Sequence, residues 1–224
     1  MKTNKSTIIY GNGSMAKVLY SYMKHDYNIV GFCVDKCCIK DDKFMGLPLV
    51  AFEEVEKTFL PKDCQMINSI GFVQMNELRK NRSLVAKSKG YELISYIDKS
   101  VKLHDDVEVG ENCIILDLVS IHPGTKINAG TFISSNVSIG HDCNIGEYNW
   151  INSGVSIAGY ADIGECGFWG VNSSCGNNVK IGSHNYISAN TFISRKTNDN
   201  EVYLTPNGEL FKLSSTNFLK FIGA

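Results

Sequence analysis

The stretch ISSNVSIGHDCNIGEYNWINSGVSIAGYADI, residues 133–163, places an isoleucine at every sixth position. The same frame runs from Ile97 to Ile193 without an insertion, and fifteen of its seventeen positions are aliphatic. A mostly small residue lies four places after each, and glycine often follows the aliphatic residue directly. A period of six fits neither an α-helix nor a simple hairpin array. It is typical of a parallel β-helix, in which three six-residue sides complete one coil.

The packing of such a coil explains its residue types. Aliphatic side chains fill the interior, small residues crowd the same space, and glycine is expected at the tight corners. Trp169 falls on the inward track, so we expect either local widening or an indole that swings outward beside Gly167 and Gly170. Vertical stacking also predicts an aromatic ladder made of Phe132, Trp150, Phe168 and Tyr186. This ladder either packs within or between subunits or binds a flat ligand group.

The chain before the repeats alternates strand and helix signals. Apolar runs and helical spacing predict four strands at 7–10, 28–34, 65–70 and 91–97, and two helices at 17–24 and 74–89. This order indicates an α/β domain with a small, Rossmann-like parallel sheet. We therefore divide the chain into an α/β domain at 1–96, a β-helix at 97–198 and a tail at 199–224.

The tail is predicted to cap the β-helix, because an open coil exposes unpaired backbone groups and an aliphatic layer. The six-residue frame stops after Asn198. Apolar residues on both sides of a turn signal then predict a hairpin: Val202, Leu204, Asn207-Gly208, Leu210 and Leu213.

Composition and charge narrow the function classes. Of 224 residues, 43% are hydrophobic and 20% charged, and the formal net charge of −1 offers no basic stripe for nucleic acid. The sequence has neither a signal-peptide core nor an apolar run of membrane-span length. We therefore expect a cytoplasmic protein whose eight cysteines are reduced. Cys33 and Cys37 lie one helical turn apart, but no second Cys/His pair has ligand spacing, so no metal site is predicted.

The loop GNGSMA, residues 11–16, follows a predicted strand and opens a predicted helix. In that context, glycine-rich loops hold phosphate through free backbone N–H groups. Asp35 ends the next strand, where a carboxylate can accept hydrogen bonds from a ribose or a base. The domain is about half of a full dinucleotide fold, so a mononucleotide portion fits better than NAD. A tight turn without a ligand is the alternative.

Among the five histidines, only His141 occupies the third position of a hexad and precedes a carboxylate, Asp142. Acyl transfer to an amine or hydroxyl needs a base near neutral pH, and imidazole suits that task. A neighbouring carboxylate can fix the imidazole tautomer. The spacing alone leaves a solvent-exposed corner histidine equally open.

With IGHDCNIG at 139–146 and GNGSMAK at 11–17, nearly the whole chain resembles hexapeptide-repeat bacterial sugar acyltransferases. This subgroup includes UDP-4-amino-sugar N-acetyltransferases and sialic acid O-acetyltransferases. The resemblance implies a left-handed β-helix, a homotrimer, acetyl-CoA as the acyl donor and a nucleotide-sugar substrate. It makes His141 the catalytic base and Asp142 its orienting partner. It also implies that the backbone N–H of Gly159, one coil above His141, holds the acetyl carbonyl, with Trp150 and Asn172 as further cofactor contacts.

The chain departs from these relatives at three places. Many relatives have a second histidine where Trp150 stands, and they often have a histidine where Met15 stands. Their Ile-Gly-Asn loop reads SIGF here, so that Phe72 replaces the asparagine. The resemblance nevertheless implies a substrate site made of Gly11, Asn12, Gly13, Ser14, Met15, Asp35, Lys36, Ile70 and Gly71.

We therefore expect an acetyl-CoA-dependent N-acyltransferase that acts on a nucleotide-linked amino sugar, as in polysaccharide biosynthesis. Transfer is expected to be direct, because Cys143, the cysteine near His141, falls on the inward track and is interpreted as core. Two alternatives stay open: O-acetylation of a sialic-acid-like or other sugar hydroxyl, and a non-catalytic trimeric scaffold that binds sugar nucleotides.

Overall fold

The computed structural model describes residues 5–223, in which an α/β domain precedes a parallel β-helix. The α/β domain contains β1 (Ser6–Tyr10), α1 (Ser14–Met23), β2 (Ile29–Val34), β3 (Lys43–Phe44), β4 (Leu47–Ala51), β5 (Cys64–Asn68), α2 (Glu77–Ser88) and β6 (Glu92–Leu93), with short 3₁₀ helices at Lys36–Cys38 and Phe52–Lys57. Its strands form one sheet in the order β3-β4-β2-β1-β5-β6, in which only β3 is antiparallel to its neighbour. The predicted small parallel sheet is thus confirmed.

The central strand β1 is buried on both faces. Ile9 packs in one cluster with Leu19 of α1, and Ile8 packs in another with Ala86 of α2. Neither isoleucine is exposed to solvent. A parallel strand covered by helices on both sides has a continuous apolar sequence, which is why TIIY gives a clear strand signal.

The predicted strand at 91–97 is wrong as a single element. Its first part, β6, pairs with β5, and Ile94 N–H donates to Met66 O at the end of that ladder. Its second part, β7 (Tyr96–Ile97), already belongs to the β-helix, where Tyr96 N–H donates to Cys113 O. The chain therefore changes architecture inside one apolar run, which hydrophobic periodicity does not reveal. Strands β3 and β4 were not predicted either.

The β-helix consists of two-residue strands arranged in three parallel sheets. We name each sheet by its outward side chains. The aromatic face contains β7, β9 (Ile114–Ile115), β12 (Phe132–Ile133), β15 (Trp150–Ile151), β18 (Phe168–Trp169), β21 (Tyr186–Ile187) and β23 (Val202–Tyr203). The serine face contains β10 (Ser120–Ile121), β13 (Ser138–Ile139), β16 (Ser156–Ile157), β19 (Ser174–Cys175) and β22 (Phe192–Ile193). The charged face contains β8 (Glu108–Val109), β11 (Lys126–Ile127), β14 (Asn144–Ile145), β17 (Asp162–Ile163) and β20 (Lys180–Ile181).

The register confirms the predicted coil. Ile133 pairs with Ile151, Ile139 with Ile157, and Ile145 with Ile163, so equivalent positions stack directly. These residues belong to one buried cluster that runs through the β-helix. Cys143 lies in the same cluster, as predicted, and only 2% of its surface is exposed.

Three columns of left-handed backbone form the corners, because one residue in each turn has a positive φ. The His141 corner joins the serine and charged faces and contains Gly124, Asp142, Tyr160 and Asn178. The α2 corner joins the charged and aromatic faces and contains Asn112, Gly130, Tyr148, Cys166 and His184. The third corner joins the aromatic and serine faces and contains Leu118, Asn136, Gly154, Asn172 and Asn190.

The glycine that follows the aliphatic residue has a different role from the one predicted. It does not supply the left-handed corner, which is built mainly by other residue types. Instead, a Cβ at Gly140 would lie 2.5 Å from the backbone nitrogen of Gly159 in the next coil. A Cβ at Gly146 would lie equally close, 2.5 Å, to the carbonyl of Gly164. Close stacking of adjacent coils therefore explains these glycines.

Trp169 remains inside the coil. Its side chain belongs to the β-helix core, and only 1% of the residue is exposed. A Cβ at Gly167 would lie 2.6 Å from Asn149 Oδ1 but at an ordinary contact distance of 3.5 Å from the indole nitrogen, so this glycine makes room for Asn149 and not for the ring. The outward-swinging alternative is wrong, because burial of an indole within a core of small neighbours is favourable.

The aromatic ladder is covered by the α/β domain of the same chain. Phe132, Trp150 and Phe168 are all buried in a cluster that also holds α1 residues. Phe72 lies against the ladder, with its ring centroid 4.5 Å from that of Phe168 and 5.6 Å from that of Trp150. The departure at Phe72 thus has a packing explanation, and the ladder requires no second subunit to cover it.

The predicted hairpin in the tail is wrong. Val202 and Tyr203 instead pair in parallel with Tyr186 and Ile187, and they extend the aromatic face by one strand. Beyond this strand the tail is exposed through the short helix α3 (Ser215–Phe221). The end of the coil is therefore covered by the segment up to Tyr203, which packs against the core cluster, and not by the rest of the tail. Within residues 5–223, no helix combines the length and apolar character needed to cross a bilayer.

Candidate active site at the His141 corner

His141 projects from the His141 corner with its side chain half exposed. Its Nδ1 lies 2.8 Å from Oδ2 of Asp142, the next residue. The left-handed backbone of Asp142, with φ 54°, places the carboxylate beside the imidazole instead of on the opposite side of the chain. In a neutral imidazole that donates its Nδ1 proton to Asp142, the lone pair lies on Nε2.

The free Nε2 faces Gly159, which lies one coil away. A Cβ added to Gly159 would lie 2.8 Å from Nε2, so any larger residue would displace the imidazole. Within residues 5–223, the N–H of Gly159 has no hydrogen-bond acceptor, whereas its carbonyl accepts from Asn178 N–H. The corner thus places a proton acceptor next to an unused backbone donor.

Tyr160 also belongs to this corner, although it was not among the predicted site residues. Its ring meets the His141 ring edge-on, with the centroids 4.8 Å apart, and about half of the residue is exposed. Its backbone N–H donates to the carbonyl of His141. Because Tyr160 follows Asp142 by one full coil, the stacking rule alone could have found it.

Cys143 does not add a nucleophile to this corner. The side chain points into the core, and burial raises the pKa of its thiol. A protonated, inaccessible thiol does not attack a thioester.

Two predicted cofactor contacts lie away from His141. Trp150 is on the aromatic face, buried under Phe72 and Arg79, and its indole N–H donates to Asn152 Oδ1. Within one chain the ring forms part of the junction between domains, and the cofactor contact of Trp150 stays a prediction. Asn172 lies on the third corner and does not approach His141 within one chain.

The glycine loop begins the α/β part of the predicted site. Gly11 has φ 129°, and a Cβ there would lie 2.6 Å from Ser69 Oγ. Gly13 precedes α1 and has open space around its Cα. Asn12 donates to Cys38 O, which ties the loop to the segment after β2. Ser14 and Met15 begin α1, and their backbone N–H groups lie in its first turn, where an anion is bound favourably.

Asp35 follows β2 as predicted, but its carboxylate is already engaged. Its two oxygens accept from Arg82 Nε and Nη2, and Tyr10 O–H donates to the same group. Burial would raise the pKa of Asp35, but the hydrogen bonds from Arg82 and Tyr10 outweigh burial and lower it. Arg82 comes from α2, far away in sequence, so no local motif could have indicated this pair.

The remaining predicted residues lie at the same edge of the sheet. The backbone N–H of Lys36 donates to the Glu53 carboxylate, and the Lys36 side chain, next to Asp35 in the chain, is exposed. Ile70 and Gly71 follow β5, where Ile70 N–H donates to Asn68 Oδ1. The carboxyl ends of β1, β2 and β5 therefore bring together the three predicted loops, as expected for a ligand site in a parallel sheet.

The α/β edge and His141 lie on different sides of the β-helix. The α/β domain covers the aromatic face, whereas the His141 corner joins the other two faces. Among the described residues, no hydrogen bond or ring contact links the predicted nucleotide loops to His141. One chain therefore carries both parts of the predicted site without uniting them.

No protein-family model matches the sequence, and no curated protein matches it. Solved structures are similar in fold. The acetyltransferase domain of PglB from Neisseria gonorrhoeae FA1090 has a TM-score of 0.79 at 17% identity, covering 89% of this chain and 96% of that domain, and it has also been solved with acetyl coenzyme A. PerB from Caulobacter crescentus, in complex with CoA and GDP-perosamine, has a TM-score of 0.70 at 20% identity, covering 89% and 94%. WeeI from Acinetobacter baumannii AYE has a TM-score of 0.58 at 12% identity, covering 88% and 95%.

These similarities define the class of fold. The chain is an α/β domain joined to a left-handed parallel β-helix, the architecture of these bacterial acetyltransferases. The fold predicted from the resemblance is thus confirmed, including the handedness that the six-residue period alone leaves open.

Proposed function

We propose that the protein is an acetyl-CoA-dependent acetyltransferase that acetylates the amine of a nucleotide-linked amino sugar in the cytoplasm. The observation that carries the proposal is the arrangement at the His141 corner: an imidazole held by Asp142, with its Nε2 beside Gly159, whose N–H has no acceptor among the described residues. The similar folds include PglB solved with acetyl coenzyme A and PerB solved with CoA and GDP-perosamine, which supports the choice of donor and acceptor class.

In the proposed reaction, the sugar amine attacks the carbonyl carbon of the thioester. Nε2 of His141 accepts a proton from the attacking nitrogen, and Asp142 stabilises the resulting imidazolium. The carbon–sulfur bond then breaks, and CoA leaves as a thiolate that takes the proton back. No covalent enzyme intermediate is required.

The Gly159 N–H supplies the second proposed contribution. Negative charge develops on the acetyl oxygen as the amine attacks, and an oriented backbone donor stabilises that charge more than it stabilises the substrate. The missing side chain at Gly159 leaves space for the thioester next to Nε2. The Gly159 N–H would thus stabilise the acetyl oxygen while His141 accepts the proton of the attacking amine.

The nucleotide is proposed to bind at the carboxyl edge of the α/β sheet, with its phosphates on the glycine loop and the start of α1. Gly11, Asn12, Gly13, Ser14 and Met15 would contribute there. Asp35, Lys36, Ile70 and Gly71 would line the adjacent edge. Because Asp35 already binds Arg82, we expect the pair, and not a free carboxylate, to meet the ligand.

We also propose a homotrimer, the assembly that the resemblance implies. The α/β domain covers a face that does not border the His141 corner, so a second copy must bring its own corner to the nucleotide site. In such an assembly CoA would lie between subunits, and Asn172, on the third corner, could join the cofactor site only across that interface. Light scattering at micromolar concentration should give three chains per particle. A sharp monomer that retains full activity would contradict the shared site.

The reaction itself is tested by CoA release. Acetyl-CoA is mixed with UDP-, GDP- and dTDP-linked amino sugars and with their hydroxyl counterparts, and the new thiol is followed with a chromogenic reagent. We expect release only with an amino sugar, together with an N-acetylated product by mass spectrometry. Release with the hydroxyl sugars alone would establish O-acetylation instead. Tight sugar-nucleotide binding without any release would indicate a scaffold.

A further inference from the structure

The α2 corner brings three metal-ligating side chains together. Cys166 and His184 stack one coil apart, with similar φ values of 58° and 56°, so their side chains leave the corner in the same direction. Glu77, the first residue of α2, reaches them from the α/β domain. Its Oε1 lies 2.7 Å from His184 Nε2.

The ligand atoms of these residues form a compact group. Within residues 5–223, the thiol sulfur, a ring nitrogen and a carboxylate oxygen all lie within 4.8 Å of one another. Sulfur, imidazole nitrogen and carboxylate oxygen are the donor atoms that zinc binds in proteins. We propose that Glu77, Cys166 and His184 bind a divalent cation of the zinc class, which fastens α2 to the β-helix.

The surroundings suit such an ion. Cys166 is fully buried, which shields the metal–sulfur bond, whereas the His184 and Glu77 side chains are 24% and 48% exposed. The open side admits the ion and leaves a fourth position for water. The nearby ammonium of Lys80 is paired with Glu165 at 2.6 Å, so its charge is balanced locally.

The site is independent of the proposed reaction. It lies at the α2 corner, between the charged and aromatic faces, whereas His141 lies between the charged and serine faces. The ion would join two domains and would not touch the acetyl group. The three ligands are distant in sequence, which explains why the cysteine and histidine spacing gives no metal signal.

The test uses the full chain with Cys37 and Cys38 both changed to Ser, because these are the exposed thiols that could bind a metal on their own. This parent protein is freed of metal with a chelator, reduced with a phosphine and titrated with Co²⁺. We expect one equivalent to bind and to give a thiolate-to-cobalt absorption band. Cys166→Ser in the same background should abolish the band, and His184→Gln should weaken binding at least tenfold.

Thermal melting supplies the second measurement. Zinc at a hundredfold excess over its dissociation constant should raise the melting temperature of the parent by about 5 °C or more, and leave that of Cys166→Ser unchanged. Circular dichroism of the metal-free variants checks that each is folded. The proposal is overturned if the folded parent gives no charge-transfer band, if Cys166→Ser retains the band, or if only an adventitious ion binds, insensitive to both Cys166→Ser and His184→Gln.

Discussion

Two corners of one β-helix share a backbone and differ in their surroundings. Asp142 and Cys166 both have left-handed φ values, 54° and 58°, and both lie on columns of stacked turns. The His141 corner is open, with a half-exposed imidazole and an unused N–H at Gly159. The α2 corner is covered by a helix from the other domain. The coil therefore supplies equivalent corners, which differ in whether an element of the α/β domain packs on them.

The helix that covers the α2 corner places a buried arginine there. Arg79 of α2 is almost fully buried there, and its Nη2 donates to the backbone carbonyls of Tyr148 and Asn149 and to Asn76 Oδ1. The guanidinium lies over the ring of Trp150, 5.2 Å from its centroid. Burial lowers the pKa of Arg79 to about 10. A cation without a carboxylate partner is tolerated at this junction because it satisfies carbonyl groups that the corner exposes.

The largest expected effect is at the open corner. His141→Ala should lower turnover by about two to four orders of magnitude, because it removes the proton acceptor. Steady-state CoA release measures the loss. His122→Ala, which removes another exposed histidine of the β-helix, is the matched control and should keep normal turnover. Turnover of His141→Ala within a few-fold of the wild type would show that His141 is not the base.

At the covered corner, stability should change instead of chemistry. Arg79→Ala should lower the free energy of unfolding by about 3 kcal/mol, because it leaves several buried acceptors without a donor. Urea unfolding measures this change. Arg82→Ala, on the same helix, breaks a partly exposed pair with Asp35 and should cost about 1 kcal/mol or less. Equal losses of unfolding free energy in the two variants would contradict the larger contribution expected of the buried Arg79.

Gly159→Ala sharpens the comparison within the open corner. The added Cβ would lie 2.8 Å from His141 Nε2, so the imidazole must move, and we expect kcat to fall about tenfold to a hundredfold. Gly176→Ala is the control, because its Cβ would meet its nearest neighbours at 3.7 Å. Both variants should melt near the wild-type temperature. Normal kcat for Gly159→Ala would remove Gly159 from the proposed site.

The smallest expected effect is at the α/β edge, which neither corner contains. Gly13→Val should weaken nucleotide-sugar binding about tenfold and leave CoA binding unchanged, because a side chain there crowds the loop proposed to hold phosphate. Calorimetry with each ligand separates the two. Gly13 has open space around it, whereas Gly11→Val would clash with Ser69 and strain the backbone, so only the first variant tests binding cleanly. Equal loss of both ligands from Gly13→Val would contradict separate sites.

Part of the candidate site was predictable because it obeys the repeat. His141, Asp142 and Gly159 are related by adjacency and by one full coil, so their proximity follows from counting along the sequence. Tyr160 obeys the same rule. The Arg82–Asp35 pair and the Glu77–His184 contact obey no local rule, because each joins α2 to a distant segment.

The sequence by itself determined the coil, its register, its buried isoleucines and the α/β character of the first domain. These features depend on the period of hydrophobic residues, which is a local property of the chain. Tertiary structure alone decided that the α/β domain covers the aromatic face, that Trp150 and Arg79 lie within this junction, and that the His141 corner stays open. The physical reason is that docking of two domains depends on surface shape and on paired polar groups from distant segments, and no periodic pattern records either one.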